Sequence, residues 1–126
     1  MSRIHRFRSG ALIVALFASG AAFAQDAAVV NPKSVHATLD NPRVRVLEAQ
    51  LNPGEKEQMH SHPASVIYVI AGGRVRNHFA DGKTVESELA TGATLYSEPV
   101  THWAENIGTT PIHLVLVELK DPGEHR

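Results

Sequence analysis

The chain has no cysteine anywhere in its 126 residues. Disulfides, thiolate metal ligands and a cysteine nucleophile are thereby excluded, so stability has to come from packing or from a metal held by other side chains. Acidic residues are missing from the first 24 positions, where Arg3, Arg6 and Arg8 precede an apolar run from Ala11 to Phe23 that ends in Ala22-Phe23-Ala24. A positive start, a short apolar stretch and a small-x-small site predict an export signal cleaved after Ala24, and hence a secreted or periplasmic protein. The run falls short of the roughly 20 residues a spanning helix needs, and Ser19 and Gly20 dilute it, so no membrane anchor is expected after cleavage. The arginines are not adjacent, which gives no indication of a twin-arginine route.

An excess of positive charge is lacking too. Without the leader's three arginines the formal net charge falls from -1 to -4. Such a surface does not attract nucleic acid or anionic lipid, which leaves small molecules as the expected partners. The 102 residues from Gln25 to Arg126 suffice for one domain with a modest core and not for two. Internal repeats and low-complexity tracts are absent.

Helical periodicity is not found after the leader. Short runs rich in Val, Ile, Leu and Tyr recur at even spacing between Gly, Pro, Asn and Asp, the pattern of an all-β sandwich or barrel. Strands are expected near 35–39, 43–51, 57–62, 66–71, 73–80, 83–90, 93–97, 101–106 and 111–119. Residues 25–34 are small and polar and read as a flexible N-terminal segment, 35–120 as the domain, and 121–126 as a tail. Asp81-Gly82 suits a tight primed hairpin turn. Both faces of the last strand are largely apolar, which predicts cover on each side and suggests pairing into a homodimer.

Three histidines stand out from this background. His60 and His62 are two residues apart, so on a strand they project from one face about 6.5 to 7 Å apart along the chain, near enough to converge on one ion. His102, from another strand, would complete a facial triad with metal–nitrogen bonds of roughly 2.0 to 2.1 Å. His36, His78, His113 and His125 lack such partners and read as surface or packing residues. Strand parity puts Gln58 on the face of His60 and His62, where it is a candidate to orient a ligand or a metal-bound water. On the next strand Val66, Tyr68 and Ile70 share a face, so Tyr68 is either a source of a cavity hydroxyl or a half-buried strand aromatic. Asn106 shares the face of His102 and either lines the pocket or satisfies backbone groups at the strand end, while Trp103 and Glu105 face away. Trp103, the sole tryptophan, is assigned to packing in preference to substrate stacking.

The flanking residues point to a family. Gly54 to Gly73 resembles the first cupin motif, G-x5-H-x-H-x3,4-E-x6-G, and Gly92 to Asn106 resembles the second, G-x5-P-x-G-x2-H-x3-N. The resemblance implies a cupin-type double-stranded β-helix, a jelly-roll barrel, with His60, His62 and His102 as ligands of one divalent metal ion. Two departures matter. Ala64, Ser65, Val66 and Ile67 supply no acid where the first motif has its glutamate, and the second motif is one residue short before His102, with Pro99, Val100 and Thr101 in place of proline-x-glycine. Glu98 is the nearest upstream acid and could replace the missing carboxylate from a loop, against the alternative of a solvated charge.

Neutral imidazole suits Fe, Zn, Ni and Cu, with Mn also admitted by the resemblance. Three neutral ligands leave both charges on a divalent ion and favour an anionic substrate. The chain in this respect is similar to the three-histidine cupins that act as thiol and diketone dioxygenases, which implies Fe(II) and an oxidoreductase. A non-catalytic module for binding or sensing a metal or small ligand is the first alternative, favoured by the lack of an evident general base. A sugar isomerase or epimerase is the second, and Tyr68 would be its only acid. Because imidazoles bind metal in neutral form, occupancy is expected to fall as pH drops towards and below about 6.5.

Overall fold

The structure is a computed structural model that describes residues 25–121. The expected signal segment 1–24, residues 122–126 of the tail, and His125 with them, lie outside the described residues. Nine strands follow one another: β1 (Val35–Asp40), β2 (Val44–Leu51), β3 (His60–His62), β4 (Ser65–Ala71), β5 (Gly73–Phe79), β6 (Thr84–Leu89), β7 (Thr94–Ser97), β8 (Val100–Asn106) and β9 (Ile112–Leu119). They form a five-stranded sheet in the order β1-β2-β9-β4-β7 and a four-stranded sheet in the order β3-β8-β5-β6. All ladders are antiparallel. Every expected strand is present, and the all-β class holds.

Side-chain alternation fixes which face of the large sheet is inside. Leu47 and Val69 are fully buried, and Leu116 nearly so. Leu47, Leu116, Val35 and Ala27 form the core cluster, with Ala49, Ile67 and Leu114 packed against it. The other parity of β4 therefore points outward, and Tyr68 and Ile70 are largely exposed. β9 runs between β2 and β4 in the middle of the sheet, which explains its apolar character. It offers no free edge for pairing; the free edges of this sheet are β1 and β7.

Three local expectations are corrected. The segment 25–34 is not a bare leader: Asp26 caps a four-residue helical turn, α1 (Ala27–Val30), by accepting hydrogen bonds from the backbone of Ala28 and Val29. Ala27 packs into the core and Asn31 is buried, so packing and a cap make up for a composition that reads as mobile. The Asp81-Gly82 turn holds three residues rather than two, because Phe79 and Lys83 pair across it and the Gly82 N–H reaches the Phe79 carbonyl. Within this turn only Gly82 has positive φ (88°). A primed two-residue turn needs positive φ at two positions for type I′, and Asp81 does not adopt it.

The third correction bears on the site. The expected strand 57–62 is a ladder only over His60–His62. Lys56 bridges Glu105, whereas His60 pairs with His102, so four residues on this segment span three on β8. The extra residue is a β-bulge between Glu57 and His60, and it inverts the parity upstream of the histidines.

Candidate metal centre

The register His60↔His102 places two rings opposite one another on the inner face, and His62 follows on the same side of β3. Ring centroids are 4.7 Å apart for His60 and His62, 4.8 Å for His60 and His102, and 5.6 Å for His62 and His102. One ring nitrogen of each lies within 4.8 Å of the others. His60 and His62 are buried and His102 is partly so. The three histidines singled out in the sequence are thus brought together at one point.

Each ring is held from behind through Nδ1. His60 Nδ1 donates to the Gln58 carbonyl at 2.7 Å, His62 Nδ1 to Glu118 Oε2 at 2.7 Å, and His102 Nδ1 to Asn77 Oδ1 at 3.0 Å. With Nδ1 carrying the proton, the lone pair of each imidazole is on Nε2. An acceptor behind every ring is the arrangement by which metal-binding histidines are oriented. A facial set on one ion needs nitrogens roughly 3 to 3.4 Å apart, so these residues fit a divalent metal once the rings draw together slightly.

Electrostatics favour the neutral, ligating form. Burial lowers the pKa of His60. Burial, and then repulsion from His60 and His62, pushes His102 down to about 3. The lowered pKa keeps His60 and His102 in the ligating form to more acid pH than a free histidine.

The rings open onto a cavity of about 290 Å³ between the sheets, walled by Ile67, Val75, Phe79, Leu95, Ile112 and Leu114 and carrying Glu57 and Asn77 among its few polar side chains. Glu57 enters because of the bulge. Its Oε1 accepts the Ala104 N–H at 3.0 Å, and burial, opposed by that hydrogen bond and by His62, pushes its carboxyl up to about 7. A carboxyl of that kind exchanges a proton near neutrality.

The other sequence candidates are not gathered here. Gln58 is exposed, its side chain turned out by the bulge, and contributes only its backbone carbonyl. Tyr68 is 48% exposed on the outer face of the large sheet, because Ile67 and Val69 take the inward positions. Glu98 is exposed in the loop before β8 and does not line the cavity. Asn106 is 1% exposed and closes the strand end, donating to the Leu51 and Thr110 carbonyls and accepting from Gly108 N–H. Trp103 stacks on His78 at 3.6 Å on the outer face, and Glu105 bonds His78 there, in line with a packing role.

Four residues that the sequence did not single out complete the site: Glu57, Asn77, Glu118 and Asn31. A lone acid in the apolar run 112–119 signals a buried partner, and an asparagine within a strand is disfavoured without one. Those signals were available for Glu118 and Asn77. Nothing local distinguishes Glu57 from Gln58.

Two antiparallel sheets enclosing a cavity, with three oriented imidazoles on its wall, define an all-β barrel equipped to hold a metal ion. A family model described as a cupin domain matches residues 47–118, and the chain belongs to that family. A cupin domain from Bordetella pertussis Tohama I is 28% identical, with a TM-score of 0.63, over 69% of this chain and 92% of the other. An RmlC-like cupin family protein with a double-stranded β-helix fold from Methanocaldococcus jannaschii is 17% identical (TM-score 0.57; 72% and 83% covered). A cupin-like protein from Thermotoga maritima is 20% identical (TM-score 0.54; 68% and 67%). The fold is accordingly the double-stranded β-helix. No curated protein matches the chain.

Proposed function

We propose that this cupin is an exported, metal-dependent dioxygenase acting on a small anionic molecule, with His60, His62 and His102 holding one Fe(II). The observation that carries the reading is the pairing of three Nε2 lone pairs with a protonatable carboxyl, Glu57, inside one largely apolar cavity. Bound Fe(II) would supply Lewis acidity and the ability to bring substrate and oxygen together at one centre. The remaining work belongs to the chain. The apolar walls exclude bulk water and strengthen the attraction of an anion to a cationic site. Asn77, Glu118 and the Gln58 carbonyl hold the ligand rings in orientation, and Glu57 takes the substrate's proton or returns it.

Glu57 supplies the general base whose apparent absence favoured a passive binder. The outward position of Tyr68 removes the acid on which a sugar isomerase or epimerase would depend. Export is supported by the leader pattern of residues 1–24.

The test is metal content of the purified protein, followed by oxygen uptake with Fe(II) and a panel of thiols, diketones and phenols. Stoichiometric iron and uptake abolished by His60→Ala are expected. Tight zinc with no uptake for any of the panel would overturn the dioxygenase and leave a binding or sensing module.

A further inference from the structure

The segment from Gln25 to Asn31, which reads from composition as a mobile leader, touches the metal centre from outside at two independent points. Asn31 is buried, and its side chain pairs with the backbone of the bulged residue: Gln58 N–H donates to Asn31 Oδ1 at 2.7 Å, and Asn31 Nδ2 lies 3.3 Å from the Gln58 carbonyl. That carbonyl is the acceptor of His60 Nδ1, and Asn31 Nδ2 is itself 3.2 Å from the same ring nitrogen. The amide thus acts as a one-residue substitute for a neighbouring strand where the bulge has left the ladder.

The second point runs through Arg45. Asp26 pairs with Arg45 through the two terminal guanidinium nitrogens, and Arg45 Nε is 4.0 Å from Glu118 Oε1. The other oxygen of Glu118 holds His62. Asp26, Arg45, Glu118 and His62 line one cleft on the far side of the His62 ring from the main cavity. While Asp26 occupies the guanidinium, Glu118 remains available to His62. Without Asp26, Arg45 would turn its full donor set on Glu118 and compete with the ring. Gln25 closes the arrangement, its carbonyl accepting the N–H of Ser61 between the two histidines.

We propose that residues 25–31 are a strap that positions two of the three ligand imidazoles: His60 through Asn31 and the bulge, His62 through Asp26, Arg45 and Glu118. Asn31 and Asp26 are positioning residues, acting on the lone pairs through other groups. The inference rests on the metal-binding reading for its effect on affinity, but its effect on ring orientation exists in the metal-free protein.

Two variants separate positioning from folding. Asp26→Asn keeps a good helix cap and removes the hold on Arg45, and Asn31→Ala removes the pairing with Gln58. Co(II) binding, followed by its absorption spectrum, is measured beside the metal-free melting curve and the ¹⁵N shifts that report which ring nitrogen is protonated. In each variant Co(II) affinity is expected to fall about tenfold or more, as when an orienting partner of a metal ligand is lost. The Nε2-protonated tautomer is expected to rise at His60 in Asn31→Ala and at His62 in Asp26→Asn. If Asn31→Ala fails to fold, Asp26→Asn decides. Affinity within twofold of wild type with unchanged tautomers would overturn the strap. If the wild-type protein itself takes up no Co(II), the metal reading fails, and the tautomer populations still settle the strap.

Discussion

Glu57→Gln is the substitution that most sharply tests the electrostatics of the cavity. Burial raises the Glu57 carboxyl from 4.5 to about 7, so between those values the folded metal-free protein holds a proton that the unfolded chain has released. The Glu57 contribution to stability therefore falls as pH rises from about 4.5 through 7, by about 3 kcal/mol when complete. Glutamine keeps the shape, and its carbonyl can still accept the Ala104 N–H, but it never ionises. The variant should exceed wild type by under about 1 kcal/mol at pH 5 and by about 3 kcal/mol at pH 8, the latter a shift of about 1 to 3 M in the urea midpoint. The assay is equilibrium urea unfolding of both metal-free proteins at the two pH values. A gain of equal size at pH 5 and pH 8, or none at pH 8, would refute the claim that Glu57 is a buried carboxyl titrating near neutrality. It would remove the proton-handling group from the proposed function as well.

Other outcomes follow from the same geometry. His102 acts in the opposite sense to Glu57: as pH falls from 6.5 to 4.5 the unfolded chain takes up a proton that the half-buried His102 refuses, which by itself costs about 2 kcal/mol, so His102→Phe should gain about that much on wild type across this range in urea unfolding. Asn106→Ala strands the Leu51 and Thr110 carbonyls and the Gly108 N–H, which should cost about 2 kcal/mol or more and lower the melting temperature by roughly 8 °C or more. Gly72→Ala would put a Cβ 1.9 Å from the Leu89 carbonyl oxygen, so the end of β6 must move, and destabilisation of about 1 to 3 kcal/mol is expected in thermal melts.

The order of the strands along the chain and the three histidines of the candidate metal centre were legible because both depend on short-range rules. Alternation of apolar residues marks strands, Gly, Pro and Asn mark their ends, and an i, i+2 pair on any strand shares a face. His60 and His62 need no tertiary information to be on one side. Tyr68 illustrates the limit of that rule, since parity groups it with Val66 and Ile70 but does not say which group faces the core; the packing of Ile67 against Leu47 and Leu116 decided that.

What the sequence by itself determined is an all-β chain with three imidazoles positioned to meet, because these features are written in the period of the strand and the chemistry of histidine. Only the tertiary structure decided which carboxyls belong to the site. A single extra residue between Glu57 and His60 exchanged Gln58 for Glu57 in the cavity, and a bulge has no signature in one sequence. Glu118, Asn77 and Asn31 lie 56, 25 and 29 residues from the rings they orient, and contacts at that separation are fixed by register and sheet packing, not by local pattern.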